Sequence, residues 1–118
     1  MNKSRVKSVM LNFYYRYGVA RDNANLLETT IKNAYPDDKC EAFMRHKNIL
    51  ASPQFLKNNQ IPFFRTLQKY NEIIITLPRG YHQVVNIQKN LALAANFGTI
   101  DWVPHGVCAS RCKCPHKL

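Results

Sequence analysis

Four cysteines and four histidines are the side chains in this sequence that could hold a transition metal. His46 follows Cys40 by six positions, and Cys112-Lys113-Cys114 forms a C-x-C hook near the other end. Such a hook lets two thiolates face one ion across a tight turn. With Cys40 and His46 it would supply three sulfurs and one imidazole, a closed tetrahedral set of the structural zinc kind. Thiolates favour zinc over magnesium or calcium. The spacing is not a standard finger spacing, so the residues alone leave other readings open. Cys40 could be simply buried. Cys108 and Cys112 could pair as a disulfide if the chain were secreted, and His116 could replace His46. Cys108 is the surplus thiol, expected to be structural or free.

A second candidate is His82. Pro78-Arg79-Gly80 makes a tight turn, and His82 then stands at the start of a strand, where a barrel of the cupin type could use it as a metal ligand. A lone histidine without a partner is more often satisfied by a hydrogen bond in the core. An iron site of two histidines and one carboxylate normally begins with His-x-Asp or His-x-Glu. His46 is followed by Lys-Asn, His82 by Gln-Val, His105 by Gly-Val and His116 by Lys-Leu, so the sequence has no such pair. One imidazole does not keep Fe(II) for redox chemistry.

The elements that must position these groups are readable in outline. Residues 1–19 are aromatic and basic without a clear period. Residues 21–34 predict a helix, with Asp22 or Asn23 as cap and Leu26, Leu27, Thr30, Ile31 and Ala34 on one stripe. Pro36-Asp37-Asp38 is a turn, followed by a second short helix over KCEAFMRH. If that segment were helical, Cys40 and His46 would lie about 9 Å apart along the axis, and they converge only if the helix ends or bends between them. Ser52-Pro53 starts a third helix that runs out at Asn58-Asn59. Strands are expected over 63–70, 73–77, 81–86 and 91–97, and an irregular tail from Pro104. Helices followed by short strands make the class α+β with β-barrel character, and no linker divides the chain.

The sequence has 118 residues, 46 % of them apolar, enough to build a core. No run of 18 apolar residues exists, so no membrane span is expected. The basic start lacks a clean small-residue cleavage site, so a signal peptide is not expected and the cysteines suit metal better than disulfides. The net charge of +10 is scattered without a Lys/Arg block. It fits solvated faces better than a dedicated nucleic-acid surface, though DNA remains a possible partner.

Two stretches carry a resemblance: YPDDKCEAFMRHKNILASPQFLKNNQIPFFR at 35–65, and EIIITLPRGYHQVVNIQKNLALAANFGTIDWVPHGVCASRCKC at 72–114. Together they resemble the second half of a JmjC domain, the Fe(II)/2-oxoglutarate dioxygenase of histone lysine demethylases, and most of all the group-four lysine-specific demethylases. The C-x-A-F-x-R-H-K context and the late C-x-C are shared with that group. TIDWVPHG is also similar to the group-five demethylases, which lack this zinc set. The resemblance covers roughly 17–114, weakly before 35, while 1–16 match poorly. It implies a partial double-stranded β-helix with N-terminal helices and a zinc-pinned tail. It also implies zinc on Cys40, His46, Cys112 and Cys114, His82 as the distal iron ligand, Asn96 in the methyl-lysine pocket and Lys47 beside the active site. Fe2+ and 2-oxoglutarate would serve the complete parent domain, methylated histone tails or nucleosomes would be the partners, and the nucleus the location.

The departures matter equally. The family's His-x-Glu pair would fall ahead of Met1, so the expectation is a fragment that is inactive alone. The family's Lys-Ser-Trp, whose lysine holds the 2-oxoglutarate carboxylate, falls on Tyr14-Tyr15-Arg16, while Lys7-Ser8 is out of register. Val84-Val85 stand where the family has a glycine and an aromatic. Leu93-Ala94-Ala95 replace its Glu-Ser-Thr, removing hydroxyls from the methyl-lysine pocket. A non-catalytic, zinc-stabilised chromatin or DNA-binding module is the alternative reading.

Overall fold

The computed structural model describes residues 14–87 and 89–115. Phe13, Lys7, Ser8 and His116 lie outside the described residues. The chain runs from strand β1 (Tyr14–Val19) through a 3-10 turn into helix α1 (Ala24–Ala34), then helix α2 (Pro53–Asn58). Strands β2 (Phe64–Gln68) and β3 (Tyr81–Asn86) follow, then helix α3 (Val103–Val107). The three strands form one antiparallel sheet in the order β2-β1-β3. Helices and an antiparallel sheet are the α+β arrangement expected.

β1 is the centre of that sheet, although the sequence around it shows no clear period. Its register places Gly18 between Phe64 and His82, Arg16 between Thr66 and Val84, and Tyr14 between Gln68 and Asn86. Side chains alternate across a strand, so these nine residues share one face. Tyr17 and Val19 share the other face with Tyr81 and Gln83, and that face meets the helices. Tyr81 Oη donates to Glu28 Oε1 of α1 at 2.7 Å. The Gln83 amide brackets the backbone of Ala51, accepting from its N–H at 3.0 Å and donating to its carbonyl. Gly18 is glycine for a steric reason. The Phe64 ring lies across it, and a Cβ there would sit 2.0 Å from Phe64 Cζ.

α1 forms where the stripe predicted it. Ala24, Leu27 and Ile31 are its buried residues, at the spacing that puts them on one side. Asn23 occupies the cap position without a side-chain cap bond, and the Asn23 N–H instead donates to the Ala20 carbonyl at 3.0 Å. Pro36 follows soon after the helix and helps to end it. In α2, Ser52 Oγ accepts from the Phe55 N–H at 3.1 Å and Pro53 opens the helix, the cap chemistry expected. Val19, Leu27, Ile31, Phe43, Leu56 and Ile61 close the core between the sheet and the helices.

Several expectations need correction. KCEAFMRH is not a helix. Glu41-Ala42 make a turn, Phe43–His46 a 3-10 segment, and Lys47 ends it in the left-handed region at φ 55°. Residues 73–77 and 91–97 are not strands among the described residues. Their β-branched and apolar side chains favour a pleated surface only when a partner covers them, and Ile73 stays 86 % exposed. The tail is not irregular from Pro104. Pro104 sits in the first turn of α3, where its missing N–H costs nothing.

The core sets an expectation for stability. Ile31→Ala, at a side chain 1 % exposed, should destabilise by about 2–5 kcal/mol. Leu26→Ala, on the exposed side of α1, should cost less than about 1 kcal/mol. Urea unfolding of both variants checks the difference.

Candidate metal centre

The bend that the cysteine and histidine required is present. Cys40 lies in the loop after α1, before the 3-10 turn, and His46 is the last residue of that turn. This brings the His46 ring back toward the Cys40 sulfur. The C-x-C hook then approaches from the tail. One ligand atom from each of Cys40, His46, Cys112 and Cys114 lies within 4.8 Å of all the others. His46 Nε2 is 3.3 Å from Cys112 Sγ and 3.6 Å from Cys114 Sγ. Three sulfurs and one nitrogen at that spacing could hold a metal ion, and the donor chemistry fits zinc. Cys108 is exposed and stands outside the quartet.

Sequence reasoning missed the residue that orients this set. Asp38 Oδ2 lies 2.8 Å from His46 Nδ1, while its other oxygen accepts the Cys40 N–H at 3.0 Å. One carboxylate therefore fixes the imidazole so that Nε2 faces the sulfurs, and also shapes the loop that carries the first thiol. A carboxylate behind a ligating histidine is the usual outer-shell arrangement. Asp38 reads in the sequence as part of the Pro36-Asp37-Asp38 turn; the D-x-C spacing was the available signal. Lys32 of α1 adds a bond to the Asp38 carbonyl and lies over the Phe43 ring at 5.0 Å from its centroid.

The electrostatics suit metal uptake. The Cys112 thiol is drawn down to about 7 by the Cys114 backbone N–H, with help from the His46 and Cys114 side chains. Cys114 is pushed up to about 12, because its proton is shared with Cys112 and Cys40. His46 is raised by its contacts with Cys112 and then Asp38, and Asp38 is lowered chiefly by the Cys40 N–H.

The other predicted residues fall into two places. His82 and Lys47 line one cavity of about 230 Å³ together with Tyr17, Tyr81 and Gln83. Partial burial of the imidazole, then the cations of Arg16 and Lys47, hold the His82 pKa below the ordinary histidine value. Asn96 lines a separate cavity of about 580 Å³ with Phe97, Trp102 and residues 74–79. Among the described residues His82 belongs to no group of three metal donors, so these residues do not by themselves fit an iron centre.

The JmjC domain, described as a hydroxylase, matches residues 11–97. The chain belongs to the JmjC hydroxylase family. Its JmjC (cupin) fold accounts for the helices beside an antiparallel sheet. Lysine-specific demethylase 4D of Rattus norvegicus is 42 % identical over 100 residues, covering 83 % of this chain and 20 % of that protein. Lysine-specific demethylase 4B of Mus musculus is 38 % identical over 100 residues, covering 83 % of this chain and 9 % of that protein. This JmjC chain therefore spans a fifth or less of the length of these relatives.

Asp38→Asn should weaken metal binding about 10–100-fold, and Cys112→Ser should abolish tight binding, while Cys108→Ser leaves it unchanged. Metal content after competition with a chelator checks the series, and equal loss in the Cys108 variant would refute the ligand set. The pH dependence has a definite sign. The thiols must shed protons to bind metal, so affinity should rise with pH across the neutral range, because Cys114 is pushed up to about 12, and should fall more steeply below about 7, where Cys112 also takes up its proton.

Proposed function

We propose that this chain is the zinc-stabilised portion of an Fe(II)/2-oxoglutarate-dependent histone lysine demethylase acting in the nucleus on trimethyl- and dimethyl-lysine of histone tails. The observation that carries the reading is the Cys40, His46, Cys112 and Cys114 quartet in a chain of the JmjC hydroxylase family. Relatives that bear the name lysine-specific demethylase support the substrate class.

In this reading zinc joins positions about 70 residues apart in the chain, and its binding free energy becomes folding free energy for the tail. Iron and 2-oxoglutarate, when bound in a complete domain, supply the oxidation of the N-methyl group. His82 contributes one imidazole to that centre from the sheet. Lys47 places an ammonium on the wall of the same cavity, and Asn96 helps to seat the substrate. With Leu93-Ala94-Ala95 beside Asn96, the hydroxyl groups that would contact a methylated ammonium are missing, which alters specificity.

Since His82 belongs to no group of three metal donors among the described residues, this reading expects no turnover from the chain by itself. Incubated with a trimethyl-lysine histone peptide, Fe(II), ascorbate and 2-oxoglutarate, it should release no formaldehyde above the peptide-free control. Steady formaldehyde production would overturn this. The net charge of +10 favours a second reading, a non-catalytic chromatin module. That reading requires DNA affinity to fall linearly on a log–log plot against salt concentration, and salt-independent or absent binding removes it.

A further inference from the structure

The sheet face that meets the helices is covered over only part of its length. Val19, Tyr81 and Gln83 lie against α1 and the loop at Ala51. Further along, the same alternation sets Tyr15 opposite Leu67 of β2 and Val85 of β3, and Tyr17 opposite Arg65. Leu67 is 36 % exposed and Val85 44 % exposed, and Arg65 is exposed. This end of the face is therefore open to solvent.

Aromatic rings and one guanidinium organise it. The Arg65 guanidinium carbon stands 4.9 Å from the centroid of the Tyr15 ring, a diagonal cross-strand pair. The Tyr17 and Phe63 rings lie beside it, 6.3 Å apart and tilted by 49°. No carboxylate pairs with Arg65 among the described residues. The three strands carry two charged side chains, Arg16 and Arg65, and no acid. Alternation puts Arg16 on the opposite face, so Arg65 sets the sign of this one. In the turn after β2 the Glu72 carboxylate accepts the Lys69 N–H at 2.7 Å, which ties it to that turn.

A partner for this surface must satisfy both its rings and its unpaired cation. An apolar peptide would cover the rings but bury Arg65 without an acceptor, which is costly. An acidic peptide would use the cation and leave the rings idle. A strand of unpaired nucleotides matches both, because its bases stack on aromatic rings or on guanidinium planes while its phosphates accept from the free N–H groups. In a duplex the base faces are stacked on one another, so the surface favours single strands.

We propose that the open end of this face, with Arg65 lying over Tyr15 and the Tyr17–Phe63 pair alongside, is a base-stacking platform for single-stranded nucleic acid. Arg65 stacks through its plane and reaches a phosphate with its edge. The platform uses neither the metal quartet nor His82, so it rests on neither reading above.

Fluorescence anisotropy of a short labelled oligothymidylate with the full, metal-loaded chain tests it. Saturable binding is expected. Tyr15→Leu, which keeps apolar bulk but removes the ring, should weaken it about fivefold or more, and Tyr15→Phe should stay within about twofold of the unaltered chain. Arg65→Gln should weaken it by about fivefold as well, whereas Arg16→Gln, the same loss of charge on the other face, should change it by less than about twofold. An abasic strand and a duplex of equal length should each bind at least about fivefold more weakly. Metal content and far-UV circular dichroism check the fold of each variant, and Arg65→Gln, at an exposed side chain, decides the matter if Tyr15→Leu does not fold. Absence of saturable binding, equal affinity for the abasic strand, or an equal loss in Arg16→Gln and Arg65→Gln would overturn the platform. Duplex bound as tightly as the single strand also overturns it and leaves the chromatin-module reading standing. Single-strand binding without salt-dependent duplex binding keeps the platform and removes that reading.

Discussion

The His46 imidazole holds this structure to its tail. One ring nitrogen rests on the Asp38 carboxylate, and the other faces the sulfurs of Cys112 and Cys114. Asp38 in turn receives the Cys40 N–H, so a single carboxylate fixes both donors of the helical segment. Residues 109–115 have no helix or strand of their own. Their attachment to the body runs through His46 and Cys40, and a short irregular segment of this kind contributes little apolar burial. Closing a loop of about 70 residues with an ion would restrict the unfolded chain more than any single contact of the tail could.

The three-stranded sheet divides the remaining work between its faces. One face packs Val19 onto Leu27 and Ile31 of α1, and it uses Tyr81 and Gln83 to fasten α1 and the loop at Ala51. The opposite face holds His82, Arg16 and Tyr14. Because β1 is central and pairs with both neighbours, its alternation dictates both faces at once. A one-residue slip would exchange core and polar face along all three strands. Gly18 under the Phe64 ring helps to pin that register, since a larger residue there would displace the aromatic side chain of the partner strand.

Residues 73–77 and 91–107 behave differently. Leu93 is 98 % exposed and Ile100 is 85 % exposed, and long apolar runs this open are unusual for a self-contained surface. Trp102 gives local order there, because its ring lies over Gly106 and Gly98. Apolar residues without a covering partner gain little from the pleated conformation, which is why residues 73–77 and 91–97 read as strands in the sequence yet stay irregular.

Local chemistry was decisive wherever a segment could form from its own residues. The apolar stripe of α1, the Ser52-Pro53 start of α2 and the turn before β3 are written in short windows, and the structure follows them. The candidate ligand set was legible as residue types and, through family likeness, as four particular positions. The sequence could not show how Cys40 and His46 converge, because a 3-10 turn and a left-handed Lys47 replace the helix that the window favoured. Nor could it show Asp38 behind His46, or Tyr14 and Arg16 sharing a face with His82. The first depends on how the loop between Asp38 and His46, eight positions apart, bends, and the second on pairing between strands more than 60 residues apart, which no local pattern encodes.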